Sequence, residues 1–312
     1  MLLLVRHETL YHYTPAVENA QHAIHLRPGN GLGQTVLQYA LHISPQPVQQ
    51  REGQDAFGNS KLFFSLQTSH DALQVIADSV VRTHPNSHPN SHLHPRSAHH
   101  ACLPWERVRD AFRYRAGAEY NAAWEFVFAS PHVPRHQAFS DFAQPSFAPG
   151  RPLLEAAHEL MSRINSAMTY DGKSTDVDTP ALMALQQRRG VCQDFAHIMV
   201  ACCRAMGLPA RYVSGYMLTQ PAPGQPRLIG CDASHAWASV YCPGPSDQAA
   251  GQWFDFDPTN NRAPGEDYVT LATGRDFLDV SPLRGVIRGG AQHTLDVAVT
   301  VTPVEPESLL NK

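Results

Sequence analysis

The sequence predicts an α+β protein. An antiparallel β-sandwich comes first, followed by a core in which a cysteine-bearing helix packs on a second antiparallel sheet. Three observations predict this. Apolar residues alternate at period two through most of the first 83 residues, the spacing of half-buried strands. From Arg151 the apolar residues recur every three or four positions, the spacing of helices with one buried stripe. After these helices, His235–Cys242 and Trp253–Asp257 return to strand-like segments.

The elements follow in order. Leu3, Val5, His7, Thr9, Tyr11 and Tyr13 share one face of a first strand, and Leu37, Tyr39, Leu41 and Ile43 one face of a second. Asp55-Ala56-Phe57-Gly58-Asn59 reads as a hairpin turn, with Gly58 and Asn59 supplying positive φ. Strands follow at Lys61–Gln67 and Leu73–Arg82, which closes a β-sandwich domain over 1–83. His7, His12, His22 and His25 read as surface or packed residues. Residues 84–101, with the tract HPNSHPNSHLHPRSAHH, have the Pro-, Ser- and Asn-rich composition of a flexible linker that cannot form a core.

Residues 102–150 read as a connecting helix from Pro104-Trp105-Glu106 and an aromatic segment, Phe139 to Phe147, that wraps another surface. The core spans 151–275. Its first helix carries Leu153, Leu154, Ala157, Leu160, Met161, Ile164 and Met168 on one stripe. A second starts with Thr179 as N-cap and Pro180 at the first helical position, and stops at Gly190. A third begins at Cys192, turns Phe195, Ile198, Met199, Cys202 and Met206 inward, and ends at Gly207. Strands follow at Leu208–Thr219, where Gly215 marks a close backbone approach, and at His235–Cys242 and Trp253–Asp257. Residues 276–312 form a C-terminal strand around Leu295–Val301 and a tail; the strand joins either the core sheet or the N-terminal sandwich.

Composition excludes several function classes. With 43% hydrophobic and 17% charged residues the chain reads as a globular protein, and a net charge of −4 argues against nucleic acid or an anionic membrane as partner. No apolar run approaches the ~18 residues of a membrane span. The apolar opening Met1–Val5 is interrupted by Arg6, His7 and Glu8, so it reads as a strand rather than a signal-peptide core. The six cysteines are irregularly spaced, and the expectation is a cytoplasmic protein with free thiols.

The candidate chemistry lies in three residues. Cys192 follows a glycine at the first turn of a helix, where the helix dipole and a nearby imidazolium stabilise a thiolate. His235 begins one arm of a hairpin and Asp257 ends the other, which brings them side by side. Nucleophile, base and orienter in these positions outline a Cys–His–Asp triad for acyl transfer. The backbone N–H of Cys192 is the first candidate oxyanion donor. The Tyr170 hydroxyl and the Gln186 amide, six residues upstream of Cys192, are candidates for the second, and Trp237 joins them on the substrate side. A zinc site from Cys231, His235, Cys242 and the His-rich tract is a weaker alternative, because no second close ligand pair is present.

The segments GVCQDFAHIMVACCRAMGLPARYVSGYM, SHAWASVY and WFDFDPTNN resemble the bacterial transglutaminase-like superfamily, whose core is related to papain-type cysteine peptidases. The stretches Tyr11-His12-Tyr13 and Asp55–Asn59 resemble the β domain that precedes this core in many bacterial members. The resemblance implies Cys192, His235 and Asp257 as the triad, and Asp194 matches a residue typical of this branch. It implies a protein or peptide substrate and no cofactor; the chain lacks an acidic calcium loop. It leaves open whether water or an amine resolves the acyl-enzyme, and whether a member with an intact triad serves binding alone. Hydrolysis is the first expectation, since water needs no dedicated acceptor site.

Overall fold

The computed structural model describes residues 1–31, 33–84, 102–117, 119–172, 174–219, 234–244 and 251–305. Apart from His84, the His-rich tract expected as a linker lies outside them, as does Cys231.

The N-terminal unit is organised on one long strand, β1 (Leu2–Ile24), followed by β2 (Gln34–Ser44), β3 (Gln49–Gln54), β4 (Ser60–Leu66) and β5 (His70–Thr83). The first half of β1 pairs with β5, with Leu3 opposite Val81; its second half pairs with β4, with Ala20 opposite Leu66. One strand therefore serves two antiparallel layers, and Leu3, Val5, Val17, Ile24, Leu66, Leu73 and Val75 fill the space between them. The predicted face of β1 is the buried one. On β2 it is fully covered only at Ile43; Tyr39 and Leu41 are partly buried against the core, and Leu37 remains 38% exposed, because β2 is an edge strand.

The hairpin turn forms where the sequence places it, with one correction. Gly58 has φ +83°, whereas Asn59 is not in the left-handed region. Asp55 Oδ1 accepts from the amides of Phe57 and Asn59 and tightens the turn, and the Asn59 side chain donates both to Asp55 Oδ2 and beyond the turn to the Thr273 carbonyl.

The second unit begins with α1 (Trp105–Ala111) and α2 (Gln137–Ala143). Phe139 and Phe147, expected to wrap a surface, are instead buried in the main core with α3 (Leu153–Ala167). The short β6 (Thr169–Tyr170), α4 (Ala181–Gln187) and β7 (Arg189–Gly190) follow. α4 differs from expectation at both ends. Pro180 is its N-cap, and the Thr179 hydroxyl accepts from the Asp176 amide instead of capping. Arg188 leaves the helix at φ 57°, so that β7 can run parallel to β6.

Next come α5 (Cys192–Ala205), β8 (Ala210–Met217), β9 (Ser234–Cys242), β10 (Gln252–Phe256) and β11 (Tyr268–Gly274). The four strands form an antiparallel sheet in the order β10-β9-β8-β11. α5 is buried along nearly its whole length between this sheet and α3; each fully buried Leu, Ile or Met there contributes about 1.5–3 kcal/mol. Arg204 near its end is 5% exposed and makes five hydrogen bonds, to the carbonyls of Ala210 (two), Arg275 and Phe128 and to the Ser130 hydroxyl. The chain then passes through α6 (Phe277–Val280) and returns to the N-terminal sheet as β12 (Leu283–Gly289) and β13 (Gln292–Pro303), both paired with β1. The sequence reading gave one C-terminal strand; β12 is additional.

Two side-chain amides fasten the units. Gln34 exchanges two hydrogen bonds with the backbone of Thr270, and Asn59 does the same with Thr273. Each satisfies a backbone N–H and C=O on β11 that no fifth strand covers. Among the described residues, no helix is long and apolar enough to cross a membrane.

Candidate active site

Gly190 sits directly against the Asp194 side chain; a Cβ there would lie 2.6 Å from Asp194 Oδ2. The contact lets Asp194 Oδ2 fold back and accept from the Val191 amide at 2.8 Å and the Thr175 hydroxyl at 2.7 Å. One of the unpaired amides at the start of α5 is thereby satisfied, and the turn that presents Cys192 is fixed. Asp194 has no exposed surface, and its burial raises its pKa despite the two donors. Cys192 itself is half-buried, with Sγ 3.8 Å from the Ser234 carbonyl oxygen.

β9 carries His235, 7% exposed, and the end of β10 carries Asp257, fully buried. His235 Nε2 lies 2.7 Å from Asp257 Oδ2, and the Cys192 thiol lies near enough to the ring to help raise its pKa. The pairing of Nε2 with Asp257 leaves Nδ1 for the thiol. Asp257 is surrounded by donors: the amides of Thr259 and Asn260 reach Oδ1 at 2.9 and 3.2 Å, and Asn260 Nδ2 and the Tyr268 hydroxyl reach Oδ2 at 2.7 Å each. Burial opposes its charge, but the bonds from His235, Asn260 and Tyr268 outweigh burial and hold its pKa below the usual value. For His235 burial favours the neutral ring, yet the hydrogen bond to Asp257, the nearby Cys192 thiol and the charges of both prevail and raise it to about 10. The three residues thus form a continuous chain from thiol to imidazole to a saturated carboxylate.

This geometry agrees with what the chain is similar to. Residues 140–258 match the transglutaminase-like superfamily profile, and residues 3–82 match that of the bacterial transglutaminase-like N-terminal region. An uncharacterized protein of Mycobacterium tuberculosis is 38% identical over 308 residues, covering 98% of this chain and 94% of its own. The chain belongs to the transglutaminase-like superfamily.

Two further relatives bracket that superfamily assignment. A protein-glutamine gamma-glutamyltransferase of Pseudomonas aeruginosa is 29% identical over 132 residues, 42% of this chain and 19% of its own length. The crystal structure of a provisionally assigned cysteine protease from Cytophaga hutchinsonii shares the fold at a TM-score of 0.71 and 20% identity, covering 98% of this chain and 92% of that one.

The other expected site residues of this transglutaminase-like core fall differently. Tyr170 is 56% exposed and paired through its backbone with Gly190, two residues before the cysteine; burial first, and then the charge of Cys192, raise its pKa. Gln186 is exposed on α4, and among the described residues no hydrogen bond joins it to Cys192. Trp237 has no exposed surface. Its ring lies 6.1 Å from that of His235 and meets Tyr268 edge-on at 5.4 Å, so it backs the imidazole and does not face solvent. Gly215 makes room for it: a Cβ there would lie 2.5 Å from the indole. Of the alternative zinc set, His235 is engaged by Asp257 and Cys242 lies against Cys102. Sequence reasoning missed Asn260 and Tyr268; the run Asp257-Pro258-Thr259-Asn260 was a signal for the first, since Asp commonly accepts from amides two and three residues on. Two clefts, of about 700 and 880 Å³, lie elsewhere and are lined by none of the three residues.

Proposed function

We propose that the protein is a thiol acyl-transfer enzyme that hydrolyses peptide or side-chain amide bonds through Cys192, His235 and Asp257. One observation carries the reading: a half-buried thiol at a helix N-terminus, beside an imidazole whose Nε2 is 2.7 Å from a fully buried carboxylate. In the proposed sequence Cys192 Sγ attacks the amide carbon while the Cys192 backbone N–H, joined by the Tyr170 hydroxyl, stabilises the oxyanion. His235 donates its Nδ1 proton to the departing nitrogen, and a thioester and a free amine (or ammonia, from a glutamine side chain) result. His235 then takes a proton from water, the hydroxide attacks the thioester, and the carboxylic acid and the thiol are released. Asp257 keeps the ring in the productive tautomer throughout.

Transamidation, with a primary amine in place of water, is the second reading. It is favoured by the similarity to the Pseudomonas gamma-glutamyltransferase over 132 residues.

The test is mass spectrometry of a peptide library incubated with the protein, with and without a primary amine. Cleavage or deamidation supports hydrolysis; amine incorporation selects transamidation. Both must vanish in Cys192→Ala. No product from any acyl donor, together with a Cys192 alkylation rate at pH 6 that matches an ordinary thiol and is unchanged by His235→Ala, would leave a binding module.

A further inference from the structure

Cys102 and Cys242 are 140 positions apart in sequence, and the fold brings their sulfur atoms to 2.8 Å. This is less than an ångström beyond the ~2.05 Å of a disulfide bond. Both backbones are held independently of the contact. Cys242 is the last residue of β9 and is paired with Gln252 of β10. Cys102 precedes Leu103, whose carbonyl accepts from the Leu153 amide at 3.0 Å, and Pro104, which bridges to Pro152. Neither cysteine has a role in the proposed acyl transfer. His235 and Cys242 are the second and last residues of one strand, roughly 23 Å apart along it.

We propose that Cys102 and Cys242 close a disulfide, formed by exchange with a small-molecule disulfide as oxidant. The Cys102 thiolate attacks one sulfur of the oxidant and expels the first thiolate, giving a mixed disulfide. Cys242 loses its proton, attacks the Cys102 sulfur and expels the second thiolate. The protein gives up two protons and two electrons, and the oxidant leaves as two thiols.

The surroundings divide the two roles. The Cys102 thiol is lowered, first by the hydrogen bond from Cys242 and then by the amides of Leu154, Leu153 and Leu103. The first two belong to the opening turn of α3, a 15-residue helix whose N-terminus favours an anion. Cys102 is half-buried and so open to an oxidant, while Cys242 is 6% exposed and raised by Cys102 and by burial. Cys102 is therefore the attacking thiol and Cys242 the resolving one. Cys202 and Cys203 have no exposed surface, and burial raises both thiols, so they stay reduced. The bond would close a loop of about 140 residues and tie the start of the second unit to the end of β9, an inner strand of its sheet.

The proposal departs from the expectation of free thiols and is tested on the full chain. Protein equilibrated with oxidised glutathione is alkylated under denaturing conditions, digested and analysed by mass spectrometry without reduction. The expected result is a linked peptide pair containing Cys102 and Cys242, two hydrogens lighter than the sum of the free peptides. The oxidised protein should melt several degrees above the reduced protein. Cys102→Ser should abolish both the linked pair and the difference in Tm, while Cys192 alkylation at pH 6 is unchanged. Full alkylation of both residues at every glutathione ratio would overturn the proposal. So would a linked pair of different cysteines, or a difference in Tm that survives Cys102→Ser. The linked-peptide readout on the unsubstituted chain holds even if a serine variant fails to fold.

Discussion

His235 and His197 are both buried, on elements that pack together, and burial pushes both imidazoles toward the neutral form. They end at opposite extremes. His235 faces Asp257 and Cys192, and its pKa rises. His197 stacks on His132 at 5.2 Å, meets the Tyr212 ring at a tilt at 4.8 Å, and lies near Arg204. Its Nε2 accepts from the Phe277 amide at 3.2 Å, and a backbone amide can only donate, so Nε2 carries no proton. Burial, and then the charges of His132 and Arg204, hold it well below the ordinary value. The comparison teaches that burial does not decide whether a histidine works or packs. An acceptor beside the ring makes it a proton carrier; donors beside it make it a fixed part of the core.

The largest effect that would break this comparison comes from removing the acceptor. Asp257→Asn keeps the size of the side chain but lets an amide donate toward Nε2, which selects the wrong tautomer. On the proposed chemistry kcat/KM should fall by a factor on the order of 10³–10⁴. The alkaline limb of the pH profile should move to lower pH, because the carboxylate that raises His235 is gone. Stability has a matching sign. A histidine raised to about 10 contributes stability that is complete below about 6.5 and is lost as pH rises toward 10. The variant should therefore show a flatter Tm between pH 6.5 and 10. An unmoved alkaline limb and an unchanged Tm slope would show that Asp257 does not hold the His235 proton.

How much of this was legible in the sequence follows from how local each feature is. Cys192, His235 and Asp257 stand at element ends, and a hairpin is a local device, so chain order sufficed to bring the last two together. Tyr268 was not legible. It lies on β11 and reaches the Asp257 carboxylate across β8 and β9, a contact that depends on sheet order. Trp237 shares a face with His235 by alternation, but which side of the sheet is covered is a tertiary property, and Tyr268 packs over it. Asn59 was read as a turn residue by its type, and its bond to Thr273 crosses between the units. β12 escaped because its sequence, Leu-Arg-Gly-Val-Ile-Arg-Gly, has two arginines and two glycines and no buried residue, hence no apolar period to detect.

The second test sharpens the other half of the comparison. A histidine held neutral in the folded state gains its proton on unfolding, so stability falls as pH drops below about 6.5. His197 belongs to this set, with His7 and His22, each lowered to about 4 mainly by burial, and His25. His197→Gln keeps an acceptor for the Phe277 amide and removes the titration. Urea unfolding from pH 6.5 downward should show an acid slope shallower by up to about 1.4 kcal/mol per pH unit, with kcat/KM near neutral pH retained. An unchanged slope would mean that His197 takes up a proton as readily in the fold as out of it.

The smallest effect concerns one of the five hydrogen bonds that saturate Asp257. Tyr268→Phe deletes the 2.7 Å hydroxyl bond and keeps the ring that meets Trp237. Losing one charged-acceptor bond of this kind costs about 1.5–3 kcal/mol, and four donors remain to share the charge. We therefore expect roughly a tenfold loss in kcat/KM, far below that of Asp257→Asn. The direction on pH also differs. Tyr268 helps to lower Asp257, so its removal raises the carboxylate and moves the acid limb of activity upward. The stability that the lowered Asp257 contributes is present above about pH 3.9 and is lost as pH falls through its folded value. In the variant that contribution shrinks, and its loss, which still begins at about pH 3.9, is complete at a higher pH. If Tyr268→Phe instead matched the unsubstituted protein in kcat/KM and in its acid limb, the hydroxyl would be a packing accident, and the His235 proton would rest on Asn260 and the turn amides alone.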